Sequence, residues 1–300
     1  MRLIAEARVE SGKEAKEAIT TEALKGDTPW PERGVDGGRR RLTRKGYFLC
    51  LAVIFISSYS QYVISGMHLI AGAFWVYGIS LATISAVSGG PALKRAFHDT
   101  NGAFRIGLAS FGIFTVAGSI ASLLIVAMLR GLDPTTLTGL QKPLPVLDVS
   151  HGTAWLMAGA SILVVGPCEE YIFRGFVFGG LLRLFGTRHW LLLALVSSIL
   201  FAGVHLYYGI LYQVAALVPL VDIVAIGMAL AVGYYLSKGN LLVPALIHGV
   251  YDAMGFVGVA TLPEVGARLR GAFILVSLMV ALLVFLERKK GAGPPSFGSP

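Results

Sequence analysis

Charge is scarce in this 300-residue chain: Asp, Glu, Lys and Arg make up 14% of it, where a soluble domain carries about a quarter. With 55% hydrophobic residues and a mean hydropathy of +0.71, that scarcity excludes a water-soluble globule. So much apolar surface aggregates unless lipid covers it. Cysteine is nearly absent. Cys50 and Cys168 both lie in apolar stretches, and two such residues make no disulfide framework. Residues 1–46 lack an early apolar core, so no signal peptide is expected there. No internal repeat and no second folded domain is visible. The net charge of +8 comes from short basic clusters beside apolar runs. That placement marks a membrane face and argues against a nucleic-acid partner.

What is present is a series of apolar runs near the length of about 20 residues that a spanning helix needs. Eight are expected, at 47–65, 68–87, 104–129, 154–184, 190–208, 211–236, 241–260 and 272–286. The fourth is too long for a perpendicular span and contains Pro167, so it should tilt or break. With both ends of the chain in the cytoplasm, the basic clusters around Arg39–Lys45, Lys94–Arg105, Arg183–Arg188, Lys238 and Arg288–Lys290 fall on the inner side. Only Arg130, Lys142, Arg268 and Arg270 then face outward, as the positive-inside bias requires of an even number of spans. The expected fold is therefore all-α: a polytopic membrane bundle over 47–290, with a polar cytoplasmic arm at 1–46 and a disordered tail at 291–300. The location is a multi-pass cell inner (plasma) membrane protein, or an endomembrane one in a eukaryotic cell.

Polar residues interrupt these spans. Placing an Asp, Lys or Arg at the centre of a membrane helix costs about 2.5–3.5 kcal/mol, so such residues point to function. Glu169, Glu170, Arg174, His205, Asp222, His248 and Asp252 all fall inside predicted spans. Glu170 and Arg174 are four apart and can form an ion pair on one helix face, as can His248 and Asp252. Glu169 points about 100° away from Glu170 and is free for other work. The fourth and fifth spans form a hairpin joined at 185–189. Counted from that turn at 1.5 Å per residue, Glu169 and His205 both lie roughly 22 Å deep. Asp222 has no motif around it and reads as a helix-packing or water-cavity residue.

These groups suit hydrolysis in a water-poor site, which needs a water, a base and donors for an oxyanion. Glu169 is the candidate base. Glu170 serves as the partner of Arg174, and Phe201 packs beside the site where it shapes a substrate pocket. Two imidazoles and a carboxylate, His205, His248 and Asp252, make up a set that binds zinc; the same groups can instead hold the water and the oxyanion directly. Other hydrolytic patterns are missing. There is no His-Glu-x-x-His and no Gly-x-Ser-x-Gly.

Glu169-Glu170-Tyr171-Ile172-Phe173-Arg174 resembles the EExxxR motif of the CPBP (Abi) intramembrane proteases, which include the type II CAAX prenyl endopeptidases. Phe201-Ala202-Gly203-Val204-His205 resembles the family's FxxxH motif. His248-Gly249-Val250-Tyr251-Asp252 resembles its HxxxN/D motif, with Asp252 where the prenyl endopeptidases usually carry Asn. The likeness covers about 152–260. It implies an endopeptidase in which Glu169 activates water with His205, while His248 and Asp252 complete the site. Two mechanisms come with the resemblance: one with a divalent zinc ion on His205, His248 and Asp252, and one in which glutamate works without metal. The implied partners are the bilayer and a lipidated or membrane-anchored protein or peptide. A prenylated C-terminus, a bacteriocin-like peptide and a sorting tail all qualify. The contrasting expectation is a non-catalytic scaffold or immunity protein, or a proton-coupled carrier using the same polar core.

Overall fold

The computed structural model describes residues 43–64, 69–88, 102–132 and 149–289. The expected arm and tail therefore lie outside the described residues, apart from the first few positions of helix α1. Among those residues there are helices and turns and no strand. The chain runs through α1 (Arg44–Ile64), α2 (Leu69–Ser88), α3 (Ala103–Leu132), the long composite α4 (His151–Phe185), α5 (Trp190–Gly203), the short α6 (Tyr207–Tyr212), α7 (Leu217–Leu236), α8 (Leu242–Ala260) and α9 (Pro263–Lys289). Each of the eight expected spans holds a helix. Five helical segments are long and apolar enough to cross a membrane: Ala103–Gly131, His151–Phe185, Gln213–Leu236, Leu242–Ala260 and Pro263–Glu287. Apolar side chains such as Leu123, Leu124, Leu163, Leu275 and Leu283 point outward, as lipid contact requires. The protein is a multi-pass membrane protein.

Helix α8 occupies the middle of the bundle, packed on α4, α9, α7 and α3. It meets α4 backbone to backbone. A Cβ on Gly249 would stand 2.6 Å from the Ser161 carbonyl oxygen and 2.7 Å from Ile162 Cα, and one on Gly166 would stand 2.6 Å from the Ala245 carbonyl oxygen. Only glycine allows this approach, the usual role of small residues between membrane helices. Helix α9 lies on the outside of the bundle against α3 and α8.

Helix α4 is not a uniform α-helix. Wide π turns at Ser161–Val165 and Tyr171–Phe178 flank the five-residue α segment Gly166–Glu170. Pro167 explains the first. It has no N–H to donate and crowds the preceding turn, so Gly166 N–H reaches back to Ser161 O, five residues away. The expected break at Pro167 is thus a change of winding, a feature often found where helices carry functional groups. Neighbouring helices supply donors to the second wide turn: Tyr47 Oη donates to Val177 O at 2.7 Å and Ser197 Oγ to Phe173 O at 3.1 Å.

Two boundaries differ from the sequence-based expectation. The fifth span was expected to run to 208, yet α5 ends at Gly203, and residues 204–206 form a tight turn with His205 N bonded to Ala202 O at 2.9 Å. Ala202-Gly203 ends an apolar run that hydropathy alone extends, and glycine weakens a helix by about 1 kcal/mol. His205 is therefore in a turn and not on the helix. The last helix starts at Pro263, ahead of the expected 272. Arg268 and Arg270 hide its first turns from a hydropathy reading, while proline suits a helix start.

Candidate active site

The two glutamates leave the short α segment of α4 on different faces, as the 100° step demands. Glu170 is fully buried and Glu169 is partly exposed at its side chain. Glu170 Oε2 stands 3.0 Å from Arg174 Nε, the expected ion pair four residues along. Arg174 is itself buried. Its guanidinium lies over the Phe201 ring, 4.6 Å from the centroid, and Nη2 donates to Gly227 O at 3.2 Å. Nη1 has no acceptor among the described residues. An arginine so enclosed is retained for its partner, since a buried charge left alone is strongly destabilising.

Glu170 has a second partner that spacing does not reveal. Its Oε1 is 2.8 Å from His248 Nδ1. The other face of that ring looks at two more carboxylates: His248 Nε2 is 3.3 Å from Asp252 Oδ2 and 3.6 Å from Glu169 Oε2. Both ring nitrogens thus have an acidic neighbour, and His248 joins α4 to α8 across the Gly166–Gly249 crossing. The expected pairing of His248 with Asp252 on one face is present.

Phe201 ties the second imidazole to this group. Its ring is edge-on to His205 at 5.0 Å and to His248 at 5.7 Å, and packs against Phe173 at 5.0 Å. With only 3% of its surface accessible, Phe201 acts as a floor under Arg174 and both imidazoles. His205 Nδ1 is 2.9 Å from Phe201 O. That carbonyl can only accept, so the neutral ring carries its proton on Nδ1 and presents Nε2 as an acceptor. Asp222 stands apart: Ser122 Oγ donates to its Oδ1 at 2.9 Å, joining α3 to α7.

The residue that sequence reasoning missed is Tyr77 on α2. Its hydroxyl donates to Glu169 Oε1 at 2.6 Å. No local spacing links positions 92 residues apart, and a tyrosine in an apolar run reads as an interfacial aromatic. Only the packing of α2 beside α4 brings them together.

Among the described residues, no three His, Cys, Asp or Glu side chains are arranged to hold a metal ion. His248 meets carboxylate oxygens at both nitrogens and His205 meets a carbonyl oxygen at one. As they stand, His205, His248 and Asp252 do not form a ligand set. A partly enclosed group of three carboxylates, two imidazoles and a guanidinium can bind water, move its proton and stabilise an oxyanion.

Residues 151–254 match the family model described as type II CAAX prenyl endopeptidase Rce1-like. Searches against curated proteins and solved structures gave no match. The matched segment runs from the start of α4 into α8, and it contains both glutamates, Arg174, both imidazoles and Asp252. Over this segment, which is less than half of the chain, the protein is similar to the type II CAAX prenyl endopeptidases of the Rce1-like kind.

Proposed function

We propose that the protein is an intramembrane endopeptidase that cleaves lipidated or membrane-anchored substrates, a prenylated C-terminus first among them, with Glu169 as general base. The observation that carries this reading is the facing of Glu169 Oε2 and His248 Nε2 at 3.6 Å. The distance is too long for a direct hydrogen bond, and a water set beside the pair can bond to both atoms. Glu169 takes a proton from that water as its oxygen attacks the scissile carbonyl carbon. The carbonyl oxygen becomes an oxyanion, for which His248 N–H is a donor within the site. The C–N bond then breaks as the proton held by Glu169 passes to the leaving amine. His205, accepting at Nε2, helps to orient the water. Glu170 and Arg174 hold His248 in place from its far side.

A zinc ion, if bound, would supply Lewis-acid activation of the water. No step above depends on it. The test uses purified protein in lipid vesicles and an internally quenched farnesylated peptide, comparing wild type with Glu169→Gln. The proposal expects cleavage by the wild type and a loss of at least about 1,000-fold in the variant, the scale on which removal of an essential group acts. Equal cleavage by both would refute the assignment of the base.

A further inference from the structure

Three tyrosine hydroxyls fasten the α1–α2 pair to the matched segment. Tyr47 on α1 donates to Val177 O. Tyr59 on α1 donates to Gly203 O. Tyr77 on α2 donates to Glu169 Oε1. The first two end on backbone carbonyls, where a hydroxyl does no more than dock one helix on another. The third ends on the carboxylate of the candidate base.

That difference carries a consequence for Glu169. A glutamate carboxylate has two equivalent oxygens and a soft terminal torsion, so in an open site it turns freely. Here Oε1 is held at 2.6 Å, the length of a hydroxyl bonded to a charged oxygen. Oε2 is thereby the oxygen that faces His248 Nε2. A base fixed in this way keeps its reacting lone pair on the attacking water without reorganising at each turnover.

We infer that Tyr77, on a helix outside the Rce1-like segment, is a positioning residue of the active site: it takes one oxygen of Glu169 so that the other is aimed at the water beside His248. The inference rests on the endopeptidase reading for its kinetic part only. Tyr77 touches Glu169 and not the reacting atoms, so it acts through the base.

The test compares Tyr77→Phe with Tyr47→Phe in vesicles. Tyr47→Phe removes a buried bond between α1 and the same core but leaves Glu169 untouched, and so controls for docking of the helix pair. Two readouts are taken. One is cleavage of the quenched farnesylated peptide. The other needs no substrate: the rate at which dicyclohexylcarbodiimide modifies Glu169, followed by mass spectrometry of its peptide. The expected result for Tyr77→Phe is a fall in kcat of about 10- to 100-fold, the range for losing a hydrogen bond to a charged group, with KM within about twofold. Glu169 modification should rise several-fold as Oε1 is uncovered. Tyr47→Phe should lower the unfolding temperature and leave kcat and the modification rate unchanged. Unchanged kcat in Tyr77→Phe, or an equal loss in both variants, would overturn the inference. If the wild type leaves the peptide uncut, the endopeptidase reading fails for this substrate and the modification rate decides alone. A rate in Tyr77→Phe equal to wild type then refutes the positioning role.

Discussion

Adding one methyl group to Gly249 should disable the site without touching any of its polar residues. A Cβ there would sit 2.6 Å from Ser161 O and 2.7 Å from Ile162 Cα, whereas ordinary contact begins at 3.4 Å. Both obstructing atoms belong to the backbone of α4, so no side chain can swing away. Helices α4 and α8 must separate by about 0.8 Å to relieve the tighter clash. His248 is the adjacent residue on α8, and its partners Glu169 and Glu170 are on α4. The 2.8 Å bond between His248 Nδ1 and Glu170 Oε1 would stretch to about 3.6 Å, past the limit of a real hydrogen bond. Displacements near 1 Å in an active site cost on the order of 100-fold in rate, and overpacking a core costs about 1–3 kcal/mol in stability. Gly249→Ala should therefore fold, melt several degrees lower and cleave about 100-fold more slowly. Gly159→Ala on α4 provides the control, because nothing lies within 4 Å of its added carbon. Peptide cleavage and thermal unfolding in detergent read both effects. A Gly249→Ala protein with wild-type kcat would show that the crossing does not set the geometry of the site.

Other outcomes follow from the same contacts. Arg174→Met leaves Glu170 buried with its charge unopposed on that side, and should lose about 3–5 kcal/mol of stability as measured by denaturant unfolding. Restoring neutrality with Glu170→Gln in the same chain should recover part of that loss, while activity stays low because His248 loses its charged partner. Asp222→Ala removes the Ser122 bond and should cost about 1 kcal/mol with kcat unchanged, since Asp222 is not part of the site. A zinc chelator should leave cleavage unaffected, because both nitrogens of His248 face carboxylates. Loss of activity on chelation and recovery with added zinc would reverse that reading.

The helices and the acidic motif were legible in the sequence because each depends on neighbours within a few residues. Apolar runs of spanning length located eight of the nine described helices, all but the short α6, and a four-residue offset gave both the Glu170–Arg174 pair and the His248–Asp252 pair. Contacts between helices were not legible. The bond from Glu170 to His248 joins positions 78 apart, and nothing in either local pattern ranks it above other buried pairings. Tyr77 was hidden in the same way. Hydropathy also misplaced the ends of helices where polar and apolar residues mix, as at Gly203 and Pro263. The placement of His205 suffered most: counting along a helix put on the fifth span a residue that sits in a turn beyond the helix end.

The uneven winding of α4 makes its length a matter of register. Removing one residue between 171 and 178 would let that stretch relax to ordinary 3.6-residue turns, with little change in overall span. Because the wide winding holds one residue more than an ordinary helix, the parts before and after the deletion would stay nearly in phase. The α segment Gly166–Glu170 has no such slack, and removing one residue from it would turn the helix before the gap by about 100° against Glu169, Glu170 and Arg174. A single-codon deletion there would be far more damaging than most substitutions, although the hydrophobic profile of the segment would hardly change.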